Sequence, residues 1–208
     1  MYNGTTVIMT IRHGETDFNR ERRYAGLLDI TLNEKGIHDC RKASARLVEP
    51  YDVVVTSALQ RSIETAHLLT GGQKPILECA LCNERNYGHM QGRTAQEVET
   101  IRPEIKYIKI ADDFHSLNPP QGESFPALHR RAREFLRYLL SRHREARILV
   151  VSHGVFLQQF HGILRGESWR TALRHDVFNL TLSTFVLRGT RLLQEECRNL
   201  NSENRDRW

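Results

Sequence analysis

No apolar run in the chain approaches the roughly 20 residues that a bilayer-spanning helix needs, so a membrane partner is not expected. The opening Met1-Tyr2-Asn3-Gly4 has neither the basic stretch nor the longer apolar stretch of a secretory signal. The expected location is therefore cytoplasmic. Low-complexity segments, internal repeats and linker-like stretches are also missing. Cysteine is sparse, with four residues at 40, 79, 82 and 197. Cys79 and Cys82 have CxxC spacing, but no second pair stands at a matching distance. A structural zinc site needs four ligands, so these thiols are read as structural or incidental. Long blocks of one charge are absent too. The net charge is +5 with a pI near 9.2, yet the arginines scatter through helical stretches. They form no basic run of roughly 5–8 residues, and no nucleic-acid-binding motif stands out, so nucleic acid is not an expected partner.

What is present fits one globular unit. A length of 208 residues with 39% hydrophobic and 26% charged composition is enough to bury a core without disulfide or metal staples. Residues 1–197 are expected to form a single domain, followed by a polar, loosely packed tail over 198–208. Residues 5–11, 52–56 and 147–151 read as buried strands, short and rich in β-branched side chains. Thr31-Leu32-Asn33-Glu34 has capping-box spacing ahead of a helical pattern through Leu47. Further helices are expected over 58–69, 124–143 and 155–164, with strands over 75–77, 176–187 and 191–195. Residues 92–122 are less patterned and read as short helices with loops. Strands alternating with helices predict an α/β domain with a mostly parallel sheet covered on both faces.

In such sheets ligands bind beyond the carboxyl ends of the strands. Each of the three clearest strands ends in polar, reactive residues. The first runs into Arg12-His13-Gly14-Glu15-Thr16, the second into Thr56-Ser57 with Arg61 just beyond, and the third into Ser152-His153-Gly154. If the strands are parallel, two histidines and two arginines converge on one edge of the sheet. A phosphoryl group in transfer carries charge on three oxygens, and stabilising that charge is most of the catalytic work. Guanidinium groups match phosphate oxygens bidentately. A neutral imidazole can attack phosphorus, provided its other nitrogen is held, commonly by a backbone carbonyl. Gly14 and Gly154 would let backbone and ligand approach closely, and helix N-termini behind the strands would add to the anion site. The remaining histidines, among them His38, His67, His89, His129, His143 and His161, read as surface residues.

Arg12-His13-Gly14-Glu15-Thr16 with Asn19 resembles the signature of the histidine phosphatase superfamily, the phosphoglycerate mutase-like enzymes. Residues 56–66, Glu84-Arg85-Asn86-Tyr87-Gly88, Gly122-Glu123-Ser124 and Ser152-His153-Gly154 resemble further family elements in the expected order. The resemblance implies a three-layer α/β/α sandwich. It implies that His13 is the nucleophile that becomes phosphorylated. Arg12, Arg61 and His153 would clamp the phosphoryl oxygens, assisted by Asn19. Glu84 would donate a proton to the leaving oxygen and then activate water, and a carboxyl acting as an acid near neutral pH needs a raised pKa. Gly26, Arg85, Tyr87 and Gly154 complete the expected substrate contacts. No metal and no cofactor is implied, because arginine and histidine supply the positive charge.

Three activities fit this pattern. The first is a phosphoric monoester hydrolase acting on a small phosphorylated metabolite. The second is a cofactor-dependent phosphoglycerate mutase, which the arginine and tyrosine after Glu84 resemble. The third is a non-catalytic phosphate-binding domain. Residues 92–122 look too short for the insertion that encloses a mutase intermediate, and the adjacent arginine pair expected there is absent. Arg130-Arg131 are adjacent but lie on a long helix. A shorter cover admits water and favours hydrolysis. The expected partner is a small phosphorylated metabolite; a homodimer is left open.

Overall fold

The computed structural model describes residues 4–201. Three strands, β1 (Thr6–Arg12), β2 (Val53–Thr56) and β3 (Ile76–Glu78), form one six-stranded sheet with β6 (Arg147–Ser152), β7 (Thr181–Arg188) and β8 (Arg191–Asn199). The order across the sheet is β3-β2-β6-β1-β7-β8. The first four in that order are mutually parallel, and β7 and β8 add to one edge as an antiparallel pair. The fold is α/β with a mixed, mostly parallel sheet.

Alternation along the strands feeds two cores. Val7, Met9 and Ile11 of β1, Val54 of β2, and Leu149 and Val151 of β6 point to one face. There they meet Cys40 and Ala43 of α2 (Glu34–Ser44) and Ala66 and Leu69 of α3 (Gln60–Thr70). Ile8, Val55, Ile148 and Val150 point to the opposite face. They pack on Leu128, Phe135 and Leu139 of α5 (Phe125–Arg142) and on Phe156, Phe160 and Leu164 of α6 (Gly154–Arg165). Helices thus cover both faces, because near-continuous apolar strands must be buried on both sides. Among the described residues no helix is long and apolar enough to cross a membrane.

The remaining short helices are α1 (Asp17–Arg20), α4 (Ala95–Val98) and α7 (Trp169–Ala172). The segment expected to be short helices with loops instead contains α4 and a hairpin, β4 (Tyr107–Ile110) with β5 (Asp113–Ser116). Its two-residue turn places Ala111 at φ +53°, a position where Asn or Gly would have announced the hairpin. A small third cluster of Met90, Val98, Ile101 and Ile105 with Tyr24 and Tyr87 supports this cover.

The last strand also departs from expectation. β8 continues through Arg198 and Asn199, and Leu200 is fully buried in the core beneath α2 and α3. Arg198 pairs with Glu49 and donates to the Arg46 carbonyl, so chain polarity here reflects an edge strand and its ion pairs. The rest of the expected tail, 202–208, lies outside the described residues.

Candidate active site

Parallel pairing of β1 with β6 puts Arg12 opposite Ser152, and the His13 N–H continues the ladder to the Ser152 carbonyl at 2.9 Å. Two histidines therefore leave adjacent strand ends side by side, with ring centroids 5.1 Å apart. His13 Nδ1 lies 2.7 Å from the Gly14 carbonyl oxygen. A carbonyl only accepts, so this contact puts the proton on Nδ1 and leaves Nε2 as a lone pair. His13 lines a cavity of about 670 Å³ together with Arg12, Arg61, Glu84 and Gly154.

His153 is the N-cap of α6 and is fully buried. Its Nε2 lies 2.7 Å from Ser57 Oγ and 3.3 Å from Ser62 Oγ, while its Nδ1 is buried without a partner. Burial first, and then Arg61 among the nearby charges, hold both histidines well below the usual imidazole pKa. Both are neutral at physiological pH, the state a nucleophile requires.

The two arginines are buried cations braced by carbonyls. Arg12 Nη1 donates to Val177 O at 2.8 Å, and Arg61 Nη1 and Nη2 donate to Leu28 O and Gly26 O, each at 2.8 Å. The Nε of each is buried with no partner, a donor left for an anion. Burial lowers the Arg12 pKa and pulls that of Arg61 down to about 10, still charged near neutrality. Gly154 allows the close approach of Arg12: a Cβ there would stand 3.2 Å from the guanidinium carbon, and the side chain would have to give way. The Gly14 Cβ position faces Cys40 Sγ at 2.7 Å and the Gly36 carbonyl, so Gly14 serves packing on α2 and not ligand approach.

Glu84 is seated on the N-terminus of α6. Its Oε1 accepts from Phe156 N at 2.9 Å and Arg85 N at 2.8 Å, and its Oε2 accepts from Val155 N at 3.2 Å. These are the donors expected to bind the anion, and the carboxylate occupies them. Sequence reasoning missed the group that holds this loop. Arg131 donates to the carbonyls of Leu81, Asn83 and Glu84 and pairs with Glu123. Ser57, Ser62 and Thr65 were also missed. Thr65 accepts the Gly14 N–H at 3.0 Å, and a short polar residue at such a place carries no signal before the strand ends are brought together.

Asn19 lines the cavity, with its oxygen occupied by the Thr16 N–H and hydroxyl in a capping box. Arg85 and Tyr87 are in the wall, but Arg85 is tied down. Its Nε donates to Glu123 O, its Nη1 and Nη2 reach Ser116, and its guanidinium lies 3.8 Å from the Phe125 ring centroid. Two histidines expected at the surface are buried: His161 bonds Thr10 Oγ1 at 2.7 Å and His129 bonds Gln159 at 2.9 Å. Cys79 and Cys82 are buried on the core beneath α5. Among the described residues no three His, Cys, Asp or Glu side chains gather as a metal-binding group.

Residues 8–199 match the histidine phosphatase superfamily, branch 1. The chain belongs to that superfamily. It is 33% identical over 185 residues to a phosphoglycerate mutase-like protein 4 of Arabidopsis thaliana, spanning 86% of this chain and 79% of the relative. The solved structure of Bacillus stearothermophilus YhfR superposes with a TM-score of 0.78 at 27% identity, covering 90% of this chain and 94% of that one. The fold is shared with phosphoserine phosphatase of Entamoeba histolytica, solved with 3-phosphoglyceric acid, at a TM-score of 0.75 and 21% identity over 90% and 94% of the two chains. As a histidine phosphatase superfamily member, the chain is an enzyme of the phosphatase or mutase type.

Proposed function

We propose that this chain is a phosphatase that hydrolyses a small phosphomonoester through a phosphohistidine on His13. The observation that carries the reading is the Gly14 carbonyl on His13 Nδ1, which leaves Nε2 unprotonated beside the partnerless Nε donors of Arg12 and Arg61. His13 Nε2 attacks phosphorus, the ester P–O bond breaks, and the Glu84 carboxyl protonates the leaving oxygen. Arg12, Arg61 and the His153 Nδ1 side hold the three phosphoryl oxygens as charge shifts onto them. Water then attacks the phosphohistidine with Glu84 as base, the P–N bond breaks, and inorganic phosphate and neutral His13 are restored. The cations are supplied by the chain's own arginines, so the reaction is proposed to need no metal.

A mutase would return the phosphoryl group to a sugar acid and needs a cation for the acid's carboxylate. Arg85, the residue that resembles the mutase contact, has all three nitrogens donating to Ser116 and Glu123. That commitment favours hydrolysis. The test is release of phosphate from an aryl phosphate in EDTA near pH 6, with His13→Ala alongside and quenched protein assayed for acid-labile, alkali-stable phosphate. Turnover that disappears in His13→Ala supports the phosphatase. A phosphoenzyme with negligible release points to the mutase, and neither signal points to a binding domain.

A further inference from the structure

The cavity is far larger than a phosphoryl group, and its two ends differ in chemistry. The deep end is His13, Arg12 and Arg61. Residues 176–178 border it, with Val177 O on Arg12, and the other end is built by the β4–β5 hairpin. There the walls are aromatic, with Tyr24, Tyr107 and Phe114 on the cavity surface, and the charges are the carboxylates of Asp112 and Asp113 on the hairpin. The cations on the same wall are held by other partners. Arg23 donates to Glu21, Glu97 and the Gly92 carbonyl, and Arg85 is bound to Ser116 and the Glu123 carbonyl beneath Phe125.

An acidic rim alone would say little, but a buried polar group on the same cavity points the same way. Gln158 lies one turn beyond Gly154 on α6, is 8% exposed, lines the cavity, and its Oε1 has no hydrogen-bond partner. A buried amide oxygen in this state calls for a donor. His115 Nε2 on the hairpin is likewise buried and unpartnered. Aromatic faces, carboxylates and an unfilled acceptor together are the surroundings an ammonium group prefers. A carboxylate would meet like charge from Asp112 and Asp113 there.

We infer that the alcohol half of the substrate carries a cationic nitrogen on an apolar body, and not a second acid. The inference rests on the phosphatase reading for its chemistry, while the recognition itself is separable. Three aryl phosphates test it: 4-(aminomethyl)phenyl, 4-methylphenyl and 4-(carboxymethyl)phenyl phosphate, whose methylene groups insulate the phenolic oxygen from the charge. The expected order of kcat/KM is ammonium above neutral above carboxylate, with at least about tenfold between the extremes, chiefly in KM. In Asp112→Asn/Asp113→Asn and in Gln158→Leu the ammonium-to-carboxylate ratio falls at least threefold, and a ratio is unaffected by a general loss of active protein. Equal rates or the reverse order with sound turnover of the neutral ester would overturn the inference and leave the phosphatase reading standing. Absence of turnover with all three esters would count against the phosphatase reading. Calorimetric binding of the same esters to His13→Ala then decides the preference, tighter ammonium binding supporting it and equal or tighter carboxylate binding ending it.

Discussion

The rings of His13 and His153 lie 5.1 Å apart at an angle of 59°, and both are held neutral by burial and by the charges of Arg61 and Arg12. The nucleophile must be neutral to attack, and a depressed pKa keeps it so as the pH falls through the ordinary histidine range. We expect the His13 and His153 ring nitrogens to show no titration between pH 8 and 6 in 15N NMR, where an exposed histidine changes charge near 6.5. Midpoints at 6.5 or above would contradict the buried, arginine-flanked arrangement.

Ser57 fixes the orientation of His153 through the 2.7 Å contact to Nε2, with Ser62 at 3.3 Å as a weaker second partner. Ser57→Ala should lower kcat/KM about tenfold, since one oriented hydrogen bond contributes on the order of 1 kcal/mol. Ser57→Ala/Ser62→Ala should lose more, because no partner then sets the ring. Thermal melting separates this effect from unfolding: a large fall in rate with little change in Tm supports positioning, and parallel losses do not.

Glu84 has two separable duties, as a proton carrier and as the cap of α6. Glu84→Gln keeps an oxygen for the Phe156 and Arg85 N–H groups, turns its amide nitrogen toward Val155 N, and cannot act as the acid. Its rate loss should be on the order of 10²–10⁴ for alkyl phosphates. The loss should be much smaller in formation of the phosphoenzyme from 4-nitrophenyl phosphate, whose leaving oxygen needs no proton. Glu84→Ala should additionally lower stability by about 1 kcal/mol through loss of the cap. Equal losses on both substrates in Glu84→Gln would remove the carboxyl from the acid role.

The strand ends were legible in sequence because three apolar, β-branched runs stop at reactive residues, and burial on both faces makes such runs unmistakable. Arg12, His13, Arg61 and Glu84 line one cavity, and His153 is buried against the His13 ring. The β4–β5 hairpin was not legible, since Ala111 at φ +53° replaces the residues that usually mark such a turn. Nor was the commitment of Arg85, because its partners Ser116 and Glu123 are about 30 and 40 residues away in sequence and meet it only once the cover is folded. His161 reads as a surface residue from its polarity alone, whereas α6 is buried almost all round and Thr10 satisfies the imidazole inside the fold.

The Glu84 loop is seated on the segment before α5 by backbone contact, and Gly88 is its tightest point. Gly88 adopts φ +51°, and a Cβ there would lie 2.0 Å from the Pro120 carbonyl oxygen. Neither backbone can yield without displacing the other, so both steric overlap and conformational strain oppose a side chain. Gly88→Ala should cost about 2–4 kcal/mol and reduce kcat/KM by shifting the loop that carries Glu84. Gly71→Ala is the comparison: that glycine caps α3 at φ +61° with open space around its Cβ position. It should lose about 1 kcal/mol with the rate intact. Similar behaviour of the two variants in urea unfolding would show that the Pro120 contact contributes little.

His161 provides a test of stability against pH that does not involve the reaction. It is buried beside Phe185, bonded to Thr10, and its pKa is depressed to about 3, chiefly by burial. The unfolded chain takes up a proton on this residue below its ordinary pKa of about 6.5, whereas the folded chain does not until about 3. The unfolded state therefore binds more protons across that window, and folding weakens on acidification by about 1.4 kcal/mol per pH unit per such residue. His13 and His153 act with the same sign. Urea midpoints measured at pH 6.5, 6.0, 5.5 and 5.0 lie above the main carboxylate range, so histidines dominate the slope. His161→Gln keeps an amide for Thr10 and removes the titration. It should start less stable than the wild type at pH 6.5 but lose stability less steeply, by roughly 1 kcal/mol per unit near pH 5. An unchanged slope would mean that His161 gains its proton without unfolding, which requires water to reach the Thr10 contact in the folded protein.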